Sequence, residues 1–238
     1  LLQRHRLGAD IVDIGGESTR PGAEAVALEE ERERILPVIA ALAASGARVS
    51  ADTRKPVLMG EAAAAGAAII NDVSGLTHEA DSARAAAATG AAVVLMHMRG
   101  DPRSMQDEPA YDDVALEVYD ELAQRLEAAR AAGIAECKLA IDPGIGFAKS
   151  FEHNLQLLER LALLHGLGVP LLVGASRKGF VGHVTGERVA ARRLPGSLAM
   201  ALAAAAQGAQ MLRVHDVGET VQALAAWRRA AGMDERQE

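Results

Sequence analysis

The sequence predicts an α/β fold, a (β/α)8 TIM barrel, on three observations. Short apolar or β-branched runs recur at roughly 20 to 40-residue intervals along the chain. Alanine-rich helical patterns fill the gaps between them. The length, 238 residues, is close to the roughly 250 typical of such a barrel. Strand and helix in alternation give a mostly parallel sheet with right-handed crossovers. A doubly wound sheet would also accept seven strands.

The chain opens on LLQRHRLG, which reads as the tail of a helix closing at Gly8. In a strand-first barrel a helix precedes the second strand, so an eighth strand is expected before residue 1. Seven strands are expected over residues 9–15, 48–53, 68–73, 92–98, 138–142, 170–174 and 211–214. Most are almost continuously apolar, as strands covered on both faces must be. The clearest helix follows Asp112 and Asp113, where Val114, Val118, Leu122 and Leu126 recur every four residues. The two aspartates suit its positive N-terminal end. Composition changes nowhere abruptly, so residues 1–238 are expected to form one domain. The tail from Asp234 to Glu238 is expected to fray.

Composition narrows the function. Hydrophobic residues make up 50% and charged residues 24%, enough apolar side chains for a folded core. The net charge of −7 argues against a general nucleic-acid binder, whose footprint is basic. No stretch resembles a membrane span. Cys137 is the one cysteine, which excludes an internal disulfide and a cysteine metal cluster and suits a reducing, cytoplasmic setting.

The polar residues gather where the strands should end, and that end of a parallel barrel carries the site. The first strand runs into GGESTRPG at residues 15–22, the second into Asp52-Thr53-Arg54, the third into Asn71-Asp72 and the fourth into His97. The fifth runs into DPGIGF at 142–147, the sixth into Ser176-Arg177-Lys178 and the seventh into Arg213-Val214-His215-Asp216. One such end would be a solvated cap; seven in register imply a site. Asp52, Asn71, Asp142 and Lys178 supply acceptors, an amide and a cation. They suit a planar heterocycle bearing an amino group, a ring N–H and a carbonyl, though a buried ion-pair network would use the same residues. Arg213 and His215 share a face if the seventh strand reaches His215, and together suit an anion. Ser176 and Lys178 would share one only if the sixth strand persisted, and Gly179 suggests a turn. The histidines lack H-E-x-x-H spacing and no G-x-S-x-G elbow is present, which disfavours a zinc protease and a serine hydrolase.

Seven segments carry a resemblance: DIVDIGGESTRPG (10–22), SADTRK (50–55), IINDVSGL (69–76), LMHMRGDPRSMQ (95–106), LAIDPGIGFAK (139–149), PLLVGASRKG (170–179) and RVHDV (213–217). In this order they resemble the dihydropteroate synthase family. The resemblance implies a TIM barrel that joins 6-hydroxymethyl-7,8-dihydropterin diphosphate to p-aminobenzoate. It implies that Asp52, Asn71, Met96, Asp142, Lys178 and Arg213 line a pterin pocket, and that Thr19, Arg213 and His215 meet the diphosphate. Arg20, Pro21, Phe147, Ser176 and Lys178 would meet p-aminobenzoate. Asp52, Lys178, Arg213 and His215 would carry the catalysis. The family's first strand and its N-V-T-P-D-S-F type loop have no counterpart here, so the asparagine that contacts magnesium (Mg2+) is expected before residue 1. Magnesium as cofactor is a further implication. An apolar face on the last helices, with Leu198, Leu202 and Ala205, could pair two copies in a homodimer, though burial on the barrel is the expected use of those residues. A non-catalytic pterin barrel and a methyltransferase-type folate-binding barrel are the competing readings.

Overall fold

The computed structural model describes residues 8–20, 22–100 and 110–233. The leading helix tail before Gly8, Pro21 and the tail from Asp234 lie outside those residues.

All seven expected strands form, in parallel and in chain order. They are β1 (Val12–Gly15), β2 (Val49–Asp52), β3 (Ile69–Asp72), β4 (Ala92–Met96), β5 (Leu139–Asp142), β6 (Leu172–Val173) and β7 (Met211–Leu212). The first five make one sheet and the last two a second ladder; the bridge Ile141 to Leu171 joins them. Every strand is shorter than its apolar run, because residues at the ends turn out of the ladder into loops. β6 and β7 are the shortest, two residues each.

Helices follow the strands as the alternation requires: α1 (Leu28–Ala44), α2 (Pro56–Ala64), α3 (Ser82–Thr89), α4 (Val114–Ala131), α5 (Phe151–Glu159), α6 (Gly179–Thr185), α7 (Leu194–Ala206) and α8 (Val217–Ala230). In α4 the four-residue repeat buries Val114, Val118, Leu122 and Leu126 completely or nearly so. Asp113 caps that helix, accepting from the N–H groups of Ala115 and Leu116 at 3.0 Å each, a contact that meets two otherwise orphaned donors. The core is the space between strands and helices, filled by Val49, Ala51, Ile70, Val93 and Ile141 from the sheet and Ile35, Ile39, Leu58 and Leu126 from the helices.

The described residues thus carry seven parallel strands alternating with helices. Among the described residues no ladder joins β7 to β1. The side chain of Arg213, just past β7, reaches Asp13 on β1 and Asp52 on β2 instead.

One turn is fixed by sterics. Gly144, just after β5, has φ +66°, and a Cβ there would sit inside the contact radius of the His97 carbonyl oxygen. The turn therefore lies flat on the end of β4 only with glycine. Gly144→Ala is expected to cost about 2–4 kcal/mol, the range of strained backbone with overpacking. A thermal melt should fall by roughly 5–15 °C for a chain of this size. An unchanged melt would show that the turn has room to shift.

Candidate active site

The strand register sets the site. Gly15 lies beside Asp52 and Asp52 beside Asn71, while Met96 lies beside Asp142. One row of parallel pairing therefore brings Asp52 and Asn71 together at the mouth, and a second row adds Met96 and Asp142.

Asp52 and Arg213 form an ion pair at the centre of the mouth. The Nε of the same guanidinium lies 3.0 Å from Asp13 Oδ2. Asn71 Nδ2 donates to that oxygen at a long 3.4 Å. Two carboxylates thus share one cation. Burial pushes the Asp52 carboxyl well above the usual carboxylate range despite the pull of Arg213, and the neighbouring Asp13 adds to the rise. Asp13 Oδ1 and Asn71 Oδ1 are buried with no hydrogen-bond partner. Native interiors rarely leave such acceptors unpaired.

Asp142 is buried and accepts from Gly144 N–H at 2.7 Å. Burial raises its pKa while Lys178 pulls the other way. Lys178 donates to the Ile145 carbonyl and stands 4.6 Å over the Phe147 ring. Burial lowers its ammonium to about 8, with Asp142 opposing and Arg213 adding to the fall. Met96 packs with Val73, Met98 and Ala148, and Phe147 closes that small apolar patch beside the polar row. A flat ring seated there would have an apolar wall and a polar edge.

Arg213 and His215, expected to share a face, meet different partners. β7 stops at Leu212, so strand parity no longer holds at His215. Its ring turns to Ser176, with Nδ1 3.0 Å from Oγ, while Arg213 turns to Asp13 and Asp52. Ser176 and Lys178 also separate. β6 ends at Val173, Arg177 takes φ +60°, and Lys178 becomes the N-cap of α6. The pairing of Ser176 with His215 was invisible to sequence spacing, since the two stand 39 positions apart.

Thr19 and Arg20 lie on the loop after β1, Arg20 exposed and Thr19 half-buried. That loop is pinned at its two ends by Glu17, which accepts from Val26 N–H at 2.9 Å and Arg54 Nε at 2.8 Å. The hydrogen bond from Arg54 and the charges of Arg54 and Lys55 outweigh burial and keep Glu17 low.

Sequence reasoning passed over Asp13, Glu17 and Lys149. For Asp13 a signal existed: it is the one charged residue inside the run IVDIG, and a strand covered on both faces must give an inward charge a partner. Asp72, next to Asn71, serves its own loop. It accepts from Ser74 N–H at 2.7 Å and Leu76 N–H at 3.0 Å. A surface cleft of about 580 Å³ between α3 and α4, lined by Thr77, Gln124 and Arg125 among others, touches none of the mouth residues.

The sequence pattern of the family described as pterin binding enzyme matches residues 3–215. The dihydropteroate synthase of Escherichia coli strain K12 is 50% identical over 218 residues, 91% of this chain and 77% of that protein. The chain belongs to the dihydropteroate synthase family. Solved structures of the family superpose closely. The Xanthomonas albilineans dihydropteroate synthase with 4-aminobenzoic acid is 49% identical, with a TM-score of 0.92 over 97% of this chain and 82% of that one. The same enzyme in complex with 7,8-dihydropteroate gives 0.88 at 45% identity, over 97% and 82%. The family's TIM barrel is thus the fold of this chain.

Proposed function

We infer that this chain is a transferase that condenses 6-hydroxymethyl-7,8-dihydropterin diphosphate with p-aminobenzoate, releasing 7,8-dihydropteroate and diphosphate. The observation that carries the reading is the row of acceptors Asp52, Asn71 and Asp142 with Lys178 opposite, the buried Asn71 Oδ1 unpaired, as is Asp13 Oδ1 beside it. The E. coli relative and the ligands held by the X. albilineans enzyme point the same way.

In this reading Asn71 and Asp142 accept from the amino and ring N–H groups of the pterin, and Lys178 donates to its carbonyl. Met96 and Phe147 wall the ring. Arg213 turns from its two carboxylates to the pterin face and the diphosphate, where His215 joins it, held by Ser176. The C–O bond to diphosphate breaks and its electron pair leaves with the oxygen. Positive charge on the methylene carbon is offset by Asp13 and Asp52. The neutral amine of p-aminobenzoate then forms the C–N bond and loses a proton. Thr19, Arg20, Pro21, Phe147 and Ser176 surround that second substrate and exclude water, which would otherwise capture the cation.

Magnesium enters as a companion of the diphosphate. Among the described residues no group of three His, Cys, Asp or Glu side chains could hold a metal ion, and Asp13 and Asp52 are engaged by Arg213. In this proposal magnesium would be bound by the diphosphate and would offset charge on the leaving group. A homodimer is proposed through α7, where Leu198, Leu202 and Ala205 remain half-buried. No helix among the described residues is long and apolar enough to cross a membrane, and a cytoplasmic setting is proposed from the single exposed thiol of Cys137.

The test is release of diphosphate from the pterin diphosphate, with and without p-aminobenzoate. Release that requires p-aminobenzoate and yields dihydropteroate is expected. Pterin binding without any release would favour the non-catalytic barrel, and binding of methyltetrahydrofolate in its place the methyltransferase type.

A further inference from the structure

Lys149 is buried to 2% exposure, yet among the described residues no carboxylate lies within ion-pair distance of it. Its Nζ instead lies 2.9 Å from His97 Nδ1 and donates to the Phe147 carbonyl at 3.0 Å. His97, itself fully buried, lies 3.0 Å through Nε2 from Glu121 of α4. Glu121 also pairs with Arg99, which holds Glu117 at 2.7 Å and lies 4.0 Å over the Tyr111 ring. Burial and the nearby Lys149 hold His97 neutral, down to about 3. Its Nδ1 is then the acceptor from Lys149 and its Nε2–H the donor to Glu121. A rod of three side chains therefore runs from α4, under the end of β4, to the turn after β5.

Burying an amine whose nearest acids, Asp142 and Glu121, act on it only from beyond ion-pair distance is expensive, and apolar packing would fill the same space more cheaply. The rod ends on the carbonyl of Phe147, whose ring closes the apolar patch and lies under Lys178. Gly146 in the same turn donates to Asn154 Oδ1 at 2.5 Å. The turn is thus held from α5 on one side and by Lys149 from beneath.

We propose that Lys149, braced by His97 and Glu121, is a positioning residue that sets the Phe147 turn for the second, aromatic substrate. This rests on the functional reading above, which assigns Phe147 to p-aminobenzoate. Lys149 acts on the ring through the main chain and touches no substrate.

The experiment measures KM for p-aminobenzoate, binding of 6-hydroxymethylpterin by calorimetry and thermal melting, in the parent, K149M, H97Q, F147A and K149M/F147A. For K149M, KM for p-aminobenzoate is expected to rise about tenfold, the scale of one lost buried hydrogen bond, with pterin affinity within about threefold of the parent. H97Q is expected to show a smaller rise of the same kind, and covers the case in which K149M fails to fold. In the F147A background K149M should add less than about twofold, since the two act in series. A KM for p-aminobenzoate unchanged in K149M, or in H97Q where K149M does not fold, overturns the proposal. So does an equal loss of pterin affinity, or full additivity with F147A. A parent that binds no pterin or releases no diphosphate would instead overturn the functional reading.

Discussion

Arg213→Ala is expected to lower kcat/KM by up to about 10²-fold while the chain still folds. Its guanidinium sits between Asp13 and Asp52, and removing it leaves two neighbouring carboxylates with no cation between them. Breaking a buried pair from one side costs roughly 3–5 kcal/mol. Arg213 keeps 37% exposure, so solvent screening favours the low end, about 3 kcal/mol, which is roughly 150-fold. Part of that loss falls on the empty protein, because the carboxylates repel, and part on turnover, because the leaving diphosphate loses its cation. Arg213→Lys should recover only a fraction: a single ammonium cannot reach both acids as a planar fork does. Steady-state kinetics alongside melting separates the two parts. An alanine variant with parental kcat/KM would remove Arg213 from the chemistry.

Lys178→Met is expected to lower kcat/KM by about 10 to 150-fold, the value of one charge-assisted hydrogen bond of roughly 1.5–3 kcal/mol. The parent should also lose kcat/KM as pH rises through about 8, where the buried ammonium gives up its proton. K178M should lack that limb. Stability should move the opposite way. The folded state holds fewer protons at this site than the unfolded chain between about 8 and the ordinary lysine value of 10.5. The stabilisation from the neutral amine is therefore present above 10.5 and lost as pH falls through 8. Between those limits the lysine's share of stability rises while activity falls. A parent whose kcat/KM stays flat from pH 7 to 9.5 would show that another group, or none, supplies the donor.

The barrel was legible because its signals are local. Apolar runs bounded by turn residues marked every strand, and Asp113 ahead of a four-residue repeat marked the start of α4. Asp52, Asn71 and Asp142 could be placed at a common mouth because parallel strands put like ends together. What escaped depends on backbone direction past the strands. His215 and Ser176 meet because β6 and β7 are two residues long, and apolar runs of four or five residues gave no hint of that. Lys149 looked like one more surface lysine, since nothing in AKS betrays that its amine points inward. The two acids on Arg213 divide by the same rule. Asp52 closes a strand and was found, whereas Asp13 lies inside one and was read past.

The triangle of Arg213, Asp13 and Asp52 also decides which ligands the mouth favours. Its cation is already answered by two acids, so a chloride or stray phosphate ion finds no bare charge to settle on. To be admitted, a visitor must offer donors to Asn71 and Asp142 and something in exchange for the acids it displaces from Arg213. A ring with the right edge and an attached anion does both at once, and molecules offering only one of these do not. Selectivity of this kind is a difference between exchanges. It favours a ligand that carries both the ring edge and the anion over small anions that carry only charge.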